Sequence, residues 1–254
     1  MRGSYEIPSC ALDDSHTPEA IARRLASEPA PSYLRDAVYG AIDGAVTTFA
    51  IVAGVIGAEL SPKIVLILGT ANLFGDGLSM ALSNYLGTRT FHQELSKARH
   101  EERHHIHTVP DGEREEVRQI FRAKGLTGTT LEEVVEVMTA DEEQWIDIMV
   151  REELGLHPTR HVPWKAGLTT FLAFCAAGTF PLALFVVEAL TGVRTAHPFG
   201  WSSLVTATAF FLIGAGKSRF TDQPWYRSGF ETLLVGGLAA SVAYAIGYLL
   251  AGWQ

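Results

Sequence analysis

Side chains that commonly bind metal ions are concentrated in the middle of the chain, in pairs one helical turn apart. The pairs are His100/His104, Glu101/His105, Glu113/Glu116 and Met149/Glu153. Residues at this spacing share one face of a helix, so both members of a pair can approach a single ion. Carboxylate, imidazole and thioether ligands together suit Fe²⁺ or Mn²⁺ better than Mg²⁺. A solvated helix of alternating charge is the alternative interpretation.

Two carboxylates interrupt long apolar stretches. Asp43 is the only charged residue within 37–58, and Asp76 is the only one within 64–88. A carboxylate at the centre of a bilayer costs on the order of 2.5–3.5 kcal/mol on insertion scales, so it normally faces a pathway or a partner. Met80 follows Asp76 by one turn and adds a soft thioether ligand for a transition metal. The pattern predicts a cation path, with a purely structural role for the carboxylates as the alternative.

Polar and small residues follow one helical face in each stretch. They are Asp36, Gly40, Asp43, Thr47 and Gly54 in the first, and Asn72, Asp76, Met80 and Ser83 in the second. Asp36 lies near the end of its stretch, where it either caps the helix or belongs to the path. Gly40 and Gly44 allow another helix to approach closely. This spacing favours a dimer formed through the first helix.

The distribution of charge predicts an all-α polytopic membrane protein. A spanning helix needs about 20 apolar residues, and five windows with at most one charge come near or above that length: 37–58, 64–88, 166–187, 199–216 and 232–253. We therefore expect five transmembrane helices, with a cytosolic three-helix insert between the second and the third. The expected divisions are a polar cytosolic segment 1–32, spans one and two in 33–88, the insert 89–163, and spans three to five in 164–254.

The basic residues predict the orientation. With five spans, 18 of the 20 Lys and Arg residues fall on the side of the N-terminus and the insert. The positive-inside rule places that side in the cytosol and the C-terminus outside. A plasma (inner) membrane and a vacuole-type membrane remain equally open. The net charge of −8 argues against a nucleic-acid partner. An odd number of spans excludes a pair of complete inverted repeats, so a second copy of the chain would complete a pathway.

The insert is expected to be a compact helical bundle. The helical pattern of the second span continues to His107, and further helices are predicted over 113–124, 131–138 and 141–154. Thr130 is the predicted N-cap of the second of these helices, and Asp141 is the predicted start of the third. His161, which follows the insert's last helix, is expected to be an ordinary surface or interfacial residue.

Four motifs together resemble the vacuolar iron transporter family. They are DGAVTTFAIVAG at 43–54, ANLFGDGLSMA at 71–81, EELGL at 152–156 and ETLLVGG at 231–237. The likeness runs from about residue 33 onward and includes the order of spans and insert. The first two motifs are specific to the family, whereas the third alone would be weak.

The resemblance implies a homodimeric, proton-coupled exporter of Fe²⁺, and often of Mn²⁺, from the cytosol, with the path between the two first spans. No permanently bound cofactor is implied, because the metal is the cargo. The family's membrane ligands fall on Asp43 and Met80. Its insert ligands fall on Glu102, Glu113, Glu116, Met149 and Glu153. Two positions depart from the family pattern, since His105 and Asn84 replace family carboxylates.

Two other functional classes remain open from the residues alone. Glu101-x-x-His104 and Glu102-x-x-His105 each resemble half of a carboxylate di-iron site, which would make the protein a membrane-anchored metalloenzyme. That chemistry needs a second Glu-x-x-His on a facing helix, which the chain lacks. A metal-sensing membrane scaffold would use the insert without transport. We therefore expect a transporter rather than an enzyme.

Overall fold

A computed structural model describes residues 16–26, 30–193 and 196–252 of the chain. Most of the predicted polar segment 1–32 lies outside these ranges, as does the C-terminal residue Gln254. Contacts divide the chain into two units, Met1–Ser32 and Tyr33–Gln254. In the first unit the described residues form one helix, α1 (Pro18–Ala26).

The regular structure of the second unit is helical. Its α-helices are α2 (Leu34–Gly57), α3 (Pro62–Thr108), α4 (Pro110–Ala123), α5 (Gly128–Thr139), α6 (Glu142–Ile148), α7 (Pro163–Thr191), α8 (Pro198–Lys217) and α9 (Trp225–Ala251). A π-helical turn at Met149–Glu153 follows α6, and a 3₁₀ turn at Ser218–Phe220 follows α8. The residues that the structure describes form no strand, in agreement with the all-α prediction.

Five helices, α2, α3, α7, α8 and α9, are long and apolar enough to cross a membrane, which confirms the predicted number of spans. Helix α3 has 47 residues. At 1.5 Å per residue it is roughly 70 Å long, whereas the hydrocarbon core of a bilayer is about 30 Å thick. The second half of α3, from Arg89 onward, therefore extends beyond the apolar window into the insert.

Helix starts follow from local chemistry. Proline occupies the first position of α3, α4, α7 and α8, where its missing N–H costs nothing. For this reason α4 begins at Pro110, earlier than the predicted residue 113. Asp141, the predicted start of the last helix of the insert, is the N-cap of α6 and accepts a hydrogen bond from Gln144 N at 2.8 Å. The predicted cap Thr130 is wrong, because α5 already begins at Gly128, whose φ of +64° glycine adopts without strain.

Helix α2 lies between α7 and α9, and glycines set its distance from both. A Cβ at Gly40 would collide with the backbone of Thr170, and one at Gly44 with the backbone of Phe174. Both partners belong to α7 of the same chain. The Gly40/Gly44 pair therefore packs α2 inside the monomer, and it no longer supports a dimer formed through α2. On the opposite side, Gly247 of α9 approaches the backbone of α2 just as closely.

The insert has its own apolar core against the extension of α3. Its fully buried members are Val117, Ile146, Met149 and Val150. Ion pairs tie α6 to α3 around this core. Arg99 donates hydrogen bonds to Glu143 at 2.6 Å and to Asp147, and Arg103 donates to Glu142 at 3.0 Å. The core and these ion pairs fix the relative positions of the acidic side chains described next.

Candidate metal sites

Glu102, His105 and Glu113 come together in the insert. One potential ligand atom from each lies within 4.8 Å of the other two. Glu102 and His105 are one turn apart on α3, and Glu113 is on the first turn of α4. The tight connection at Val109, directly before Pro110, folds α4 back so that its first turn meets the end of α3. Three ligands from two helices can thus reach one ion.

Both carboxylates of this group are buried, each with a relative exposure of 4%. The Oε2 atoms of Glu102 and Glu113 are inaccessible to solvent and have no hydrogen-bond partner among the described residues. A buried charge without a partner is strongly unfavourable. A divalent cation would neutralise both carboxylates at once. His105 is half exposed, with its Nδ1 3.8 Å from Glu113 Oε1, so it is placed to complete the ligand set.

Further negative charge surrounds this group. Burial raises the pKa of Glu113 to about 7, and the charges of Glu116 and Glu102 add to the shift, while His105 opposes it. Burial and the charge of Glu116 also raise the pKa of Glu153. Such shifts arise where like charges are crowded in a poorly solvated place. Four predicted glutamates and His105 therefore share one electrostatic site.

The predicted ligand Met149 lies in a different environment from the glutamates. It is fully buried in the apolar core of the insert. The π-helical turn that it begins also carries Glu153, and Leu154 N donates to Met149 O at 3.3 Å. π-Helical turns are rare and frequently occur at functional sites. The turn therefore connects the acidic site to the thioether in the core behind it.

The sequence pairs His100 with His104 and Glu101 with His105 on α3, but neither pair comes together with Glu113 in the structure. Glu101 is exposed and forms an ion pair with Lys97 at 3.5 Å. His100 and His104 are exposed. Glu102 and His105, three residues apart, are the members that meet Glu113. The other helices of the insert cover one face of α3, and Glu102 lies on that face whereas Glu101 does not.

Inside the membrane windows, α2 and α3 pack as an antiparallel pair through polar side chains. The Asn72 amide donates to Thr47 Oγ1 at 3.2 Å and to Thr48 Oγ1 at 3.3 Å. Asp76 lies within electrostatic range of Asp43. Of the predicted polar face of α3, Asn72 is thus turned toward α2. Met80 follows Asp76 by one turn on α3 and is partly buried against the apolar core that the spanning helices form together.

The row of polar side chains between α2 and α3, which we call the polar seam, ends at Asp36. The Asn84 amide donates to Asp36 Oδ1 at 2.9 Å and to Thr170 Oγ1 at 2.8 Å. His161 Nε2 lies 3.7 Å from Asp36 Oδ2. His161 was expected to be an ordinary surface or interfacial residue, but it contacts a residue of the predicted path. Its position in the sequence gave no signal for this contact, because the contact depends on how the chain returns from the insert to α7.

Asp76 differs from Asp43 in its surroundings. Asp43 is partly buried, whereas Asp76 is exposed on the surface of the single chain, next to Phe74 and Leu78, which are also exposed. A carboxylate on the outer surface of a membrane domain would meet hydrocarbon, which is costly. This face of α3 therefore needs water or another protein surface against it.

Comparison with known proteins decides the family. The model of the VIT family matches residues 34–248, a range that includes the whole insert and reaches all five candidate spanning helices. The chain belongs to the VIT family. VIT family members are transporters, not enzymes, which confirms the prediction that the chain is not an enzyme. The di-iron metalloenzyme alternative is therefore set aside.

Several relatives of the VIT family are similar over most of their length. The vacuolar iron transporter of Toxoplasma gondii is 33% identical over 227 residues, covering 86% of this chain and 74% of the relative. Vacuolar iron transporter 1 of Arabidopsis thaliana is 30% identical over 248 residues, covering 96% and 94%. Vacuolar iron transporter 2 of Oryza sativa subsp. japonica is 32% identical over 221 residues, covering 84% and 85%.

Proposed function

We propose that this VIT family protein exports Fe²⁺, and also Mn²⁺, from the cytosol in exchange for protons. The observation that carries the proposal is the pair Asp43 and Asp76, two carboxylates within electrostatic range on neighbouring spanning helices. Carboxylates at membrane depth are expensive unless they serve a cation pathway or a partner. The names of the relatives support iron as the cargo.

Coupling follows from competition for the same oxygen atoms. Two nearby carboxylates in a poorly solvated site cannot both remain charged without a compensating cation. A divalent metal neutralises them in one state, and protons neutralise them in the other. Metal therefore moves outward on the loaded site and protons return on the empty one, without ATP.

Each membrane residue has a defined part in this scheme. Asp43 and Met80 hold the partly dehydrated ion, and Asp76 supplies negative charge or a proton site one turn from Met80. Asp36, at the end of the seam, attracts the ion toward the path. The thioether of Met80 favours a transition metal over Mg²⁺ or Ca²⁺.

The pathway is completed by a second copy of the chain. The support is the exposed position of Asp76, since a homodimer with α3 near its centre would bring this carboxylate out of contact with lipid. The first spans then lie on either side of a shared path. Gly40 and Gly44 take no part in this interface, because α7 of the same chain covers them.

The insert collects metal on the cytosolic side. Its ligands are Glu102, His105, Glu113, Glu116 and Glu153, and the predicted ligand Met149 lies behind them in the apolar core, four residues before Glu153 on the π-helical turn. The excess of Lys and Arg on the side of the insert supports a cytosolic position for it. A metal-sensing scaffold would explain the insert, but it would give Asp43 and Asp76 no role.

Metal flux in reconstituted vesicles tests the proposal. We expect Asp43→Asn to abolish Fe²⁺ flux, because an amide neither ionises nor exchanges a proton. The matched control is Asp222→Asn, the same change at an exposed position between α8 and α9, which should leave flux intact. Full flux in Asp43→Asn, or equal loss in both variants, would contradict the proposal.

A further inference from the structure

An open cleft of about 420 Å³ lies where the insert meets the membrane helices. One wall is α3 just after its apolar window, and the other is the segment that leads into α7. Six of its lining residues are polar: Arg89, His92, Gln93, Ser96, Arg160 and His161. His92 Nε2 lies 2.7 Å from His161 O. Since a carbonyl oxygen only accepts, His92 donates, and this bond connects the two walls.

The polar groups at the cleft include two arginines, and none of its lining residues carries a carboxylate. His92 already donates to His161 O, and His161 faces Asp36, so Arg89 is the donor that the cleft offers to a ligand. Arg89 is exposed and makes no ion pair with any residue that the structure describes. Within a chain of net charge −8, a cleft with arginines and no carboxylate is suited to an anion. Arginine in particular binds phosphate through paired N–H donors.

The depth of the cleft is that of the lipid headgroups. Arg89 directly follows the last residue of the charge-poor window 64–88. Trp164, in the first turn of α7, is 57% exposed, and Lys165 Nζ lies 5.6 Å from the centre of its ring. Exposed Trp beside Lys or Arg at a helix end is typical of the membrane interface. In a bilayer that covers the apolar window, the cleft would therefore open beside lipid phosphates.

We propose that this cleft binds the phosphate group of an anionic phospholipid. Basic pockets between membrane helices on the cytoplasmic side are suited to such headgroups. The inference does not depend on the proposed transport, since it rests on the charge and position of the cleft. It has a consequence for the path, because His161 lines the cleft and also faces Asp36. A bound headgroup would hold the segment before α7 in place beside Asp36.

Lipid titration of the full-length protein in neutral detergent tests this site. The probes are phosphatidylglycerol, phosphatidylcholine and inorganic phosphate, and the readouts are the thermal unfolding midpoint and lipid adducts in native mass spectrometry. We expect phosphatidylglycerol alone to raise the midpoint and to remain bound. A basic residue near a membrane surface is worth about 1 kcal/mol, so Arg89→Gln should weaken binding about fivefold. Arg89→Lys should retain most of it.

Arg219→Gln is the matched control, since Arg219 is an exposed basic residue outside the cleft and its loss changes the net charge equally. Its affinity for phosphatidylglycerol should equal that of the wild type. Equal weakening in Arg89→Gln and Arg219→Gln would show diffuse electrostatic attraction and overturn the site. An identical shift with inorganic phosphate would overturn the lipid assignment, as would the absence of any phosphatidylglycerol adduct.

Discussion

His161 Nε2 lies 3.7 Å from Asp36 Oδ2, and the carboxylate is held on its other oxygen by the Asn84 amide at 2.9 Å. Asp36 lies in the first turn of α2, Asn84 belongs to α3, and His161 precedes α7. Three segments of the membrane domain therefore converge on one carboxylate. The segment that leads from the insert into α7 therefore contacts the end of the polar seam through His161.

Asn84 holds this junction through donated hydrogen bonds, and its replacement by Asp should loosen it. The Thr170 hydroxyl donates to Ala166 O at 3.0 Å, so it has no proton for an introduced carboxylate. Asn84→Asp would therefore place a negative charge against two acceptors, and an unsatisfied buried group costs about 1–3 kcal/mol. We expect the thermal unfolding midpoint to fall by several degrees.

Asn84→Ala is the comparison for this test, because it removes the same two donors without adding a charge. Its midpoint should fall less than that of Asn84→Asp. If both variants unfold at the same temperature, the repulsion at Asp36 is absent and this description of the junction is wrong.

Metal binding by the insert should weaken as the pH falls below 7. Glu113 has a pKa of about 7 because of burial and its acidic neighbours, so a proton increasingly occupies it below that pH. The ligand must lose this proton to bind metal, which lowers the affinity by up to about tenfold per pH unit for each such group. We expect calorimetry with Mn²⁺ on the Asp43→Asn protein to show this loss between pH 7.5 and 6.

In the same Asp43→Asn protein, the additional change Glu113→Gln should weaken Mn²⁺ binding and make its pH dependence shallower, since the titrating ligand is gone. Glu136→Gln, a change at an exposed position of α5, should behave like its Asp43→Asn parent. An affinity that does not change with pH in the parent protein would remove Glu113 from the ligand set.

Met80 should set the preference between the two cargo ions. A thioether is a soft ligand, and Mn²⁺ is the harder ion, so Met80→Ala should reduce Fe²⁺ flux more than Mn²⁺ flux. Competition between the two ions in the same vesicles measures the ratio directly. Met138→Ala, in the insert, should leave the ratio unchanged. An equal loss for both ions would mean that Met80 only fills space.

The dimer should depend on α3 and not on the glycine pair of α2. Gly75 neighbours Asp76, and a Cβ there meets no atom within 4 Å in the single chain. We expect Gly75→Leu to preserve the monomer fold but to weaken dimerisation, as measured by light scattering on dilution. Gly44→Ala should instead lower the unfolding midpoint, because its Cβ would meet the backbone of Phe174.

Gly237 provides the control for the dimer, as it is equally open but lies on α9. Gly237→Leu should leave the association unchanged. A protein that remains monomeric at all concentrations, or a Gly75→Leu variant that dimerises as well as the wild type, would contradict an interface at α3.

Local chemistry predicted much of the fold. Long windows with at most one charge predicted all five spans, because a bilayer admits few other structures. The helix start at Asp141 was also predictable, since a single side chain and a neighbouring N–H suffice to begin the helix there. Gly40 and Gly44 were wrongly assigned to a dimer interface, because the partner of a small residue is decided by distant parts of the chain and not by local chemistry. Small residues allow close approach, but they do not specify which helix approaches.

The sites were predictable only within each helix. Spacing alone placed Asp43 on one polar stripe and Asp76 and Met80 on another, and it paired acidic residues within single helices of the insert, whereas the joint ligand set of the insert came from the family resemblance. It could not select Glu102 over Glu101, because both lie on α3 and only the packing of α4 decides which is buried. The contact of His161 with Asp36 joins residues far apart in the chain, so no local pattern contains it.

The most direct test of proton-coupled export records Fe²⁺ uptake and internal pH in the same proteoliposomes. The vesicles carry an acidic interior, and the inserted orientation is established by protease access to the insert. We expect uptake to rise with the imposed pH gradient and to alkalinise the interior, and both signals to vanish in Asp43→Asn. Iron uptake that proceeds at the same rate with and without a pH gradient, and without alkalinisation, would contradict proton exchange.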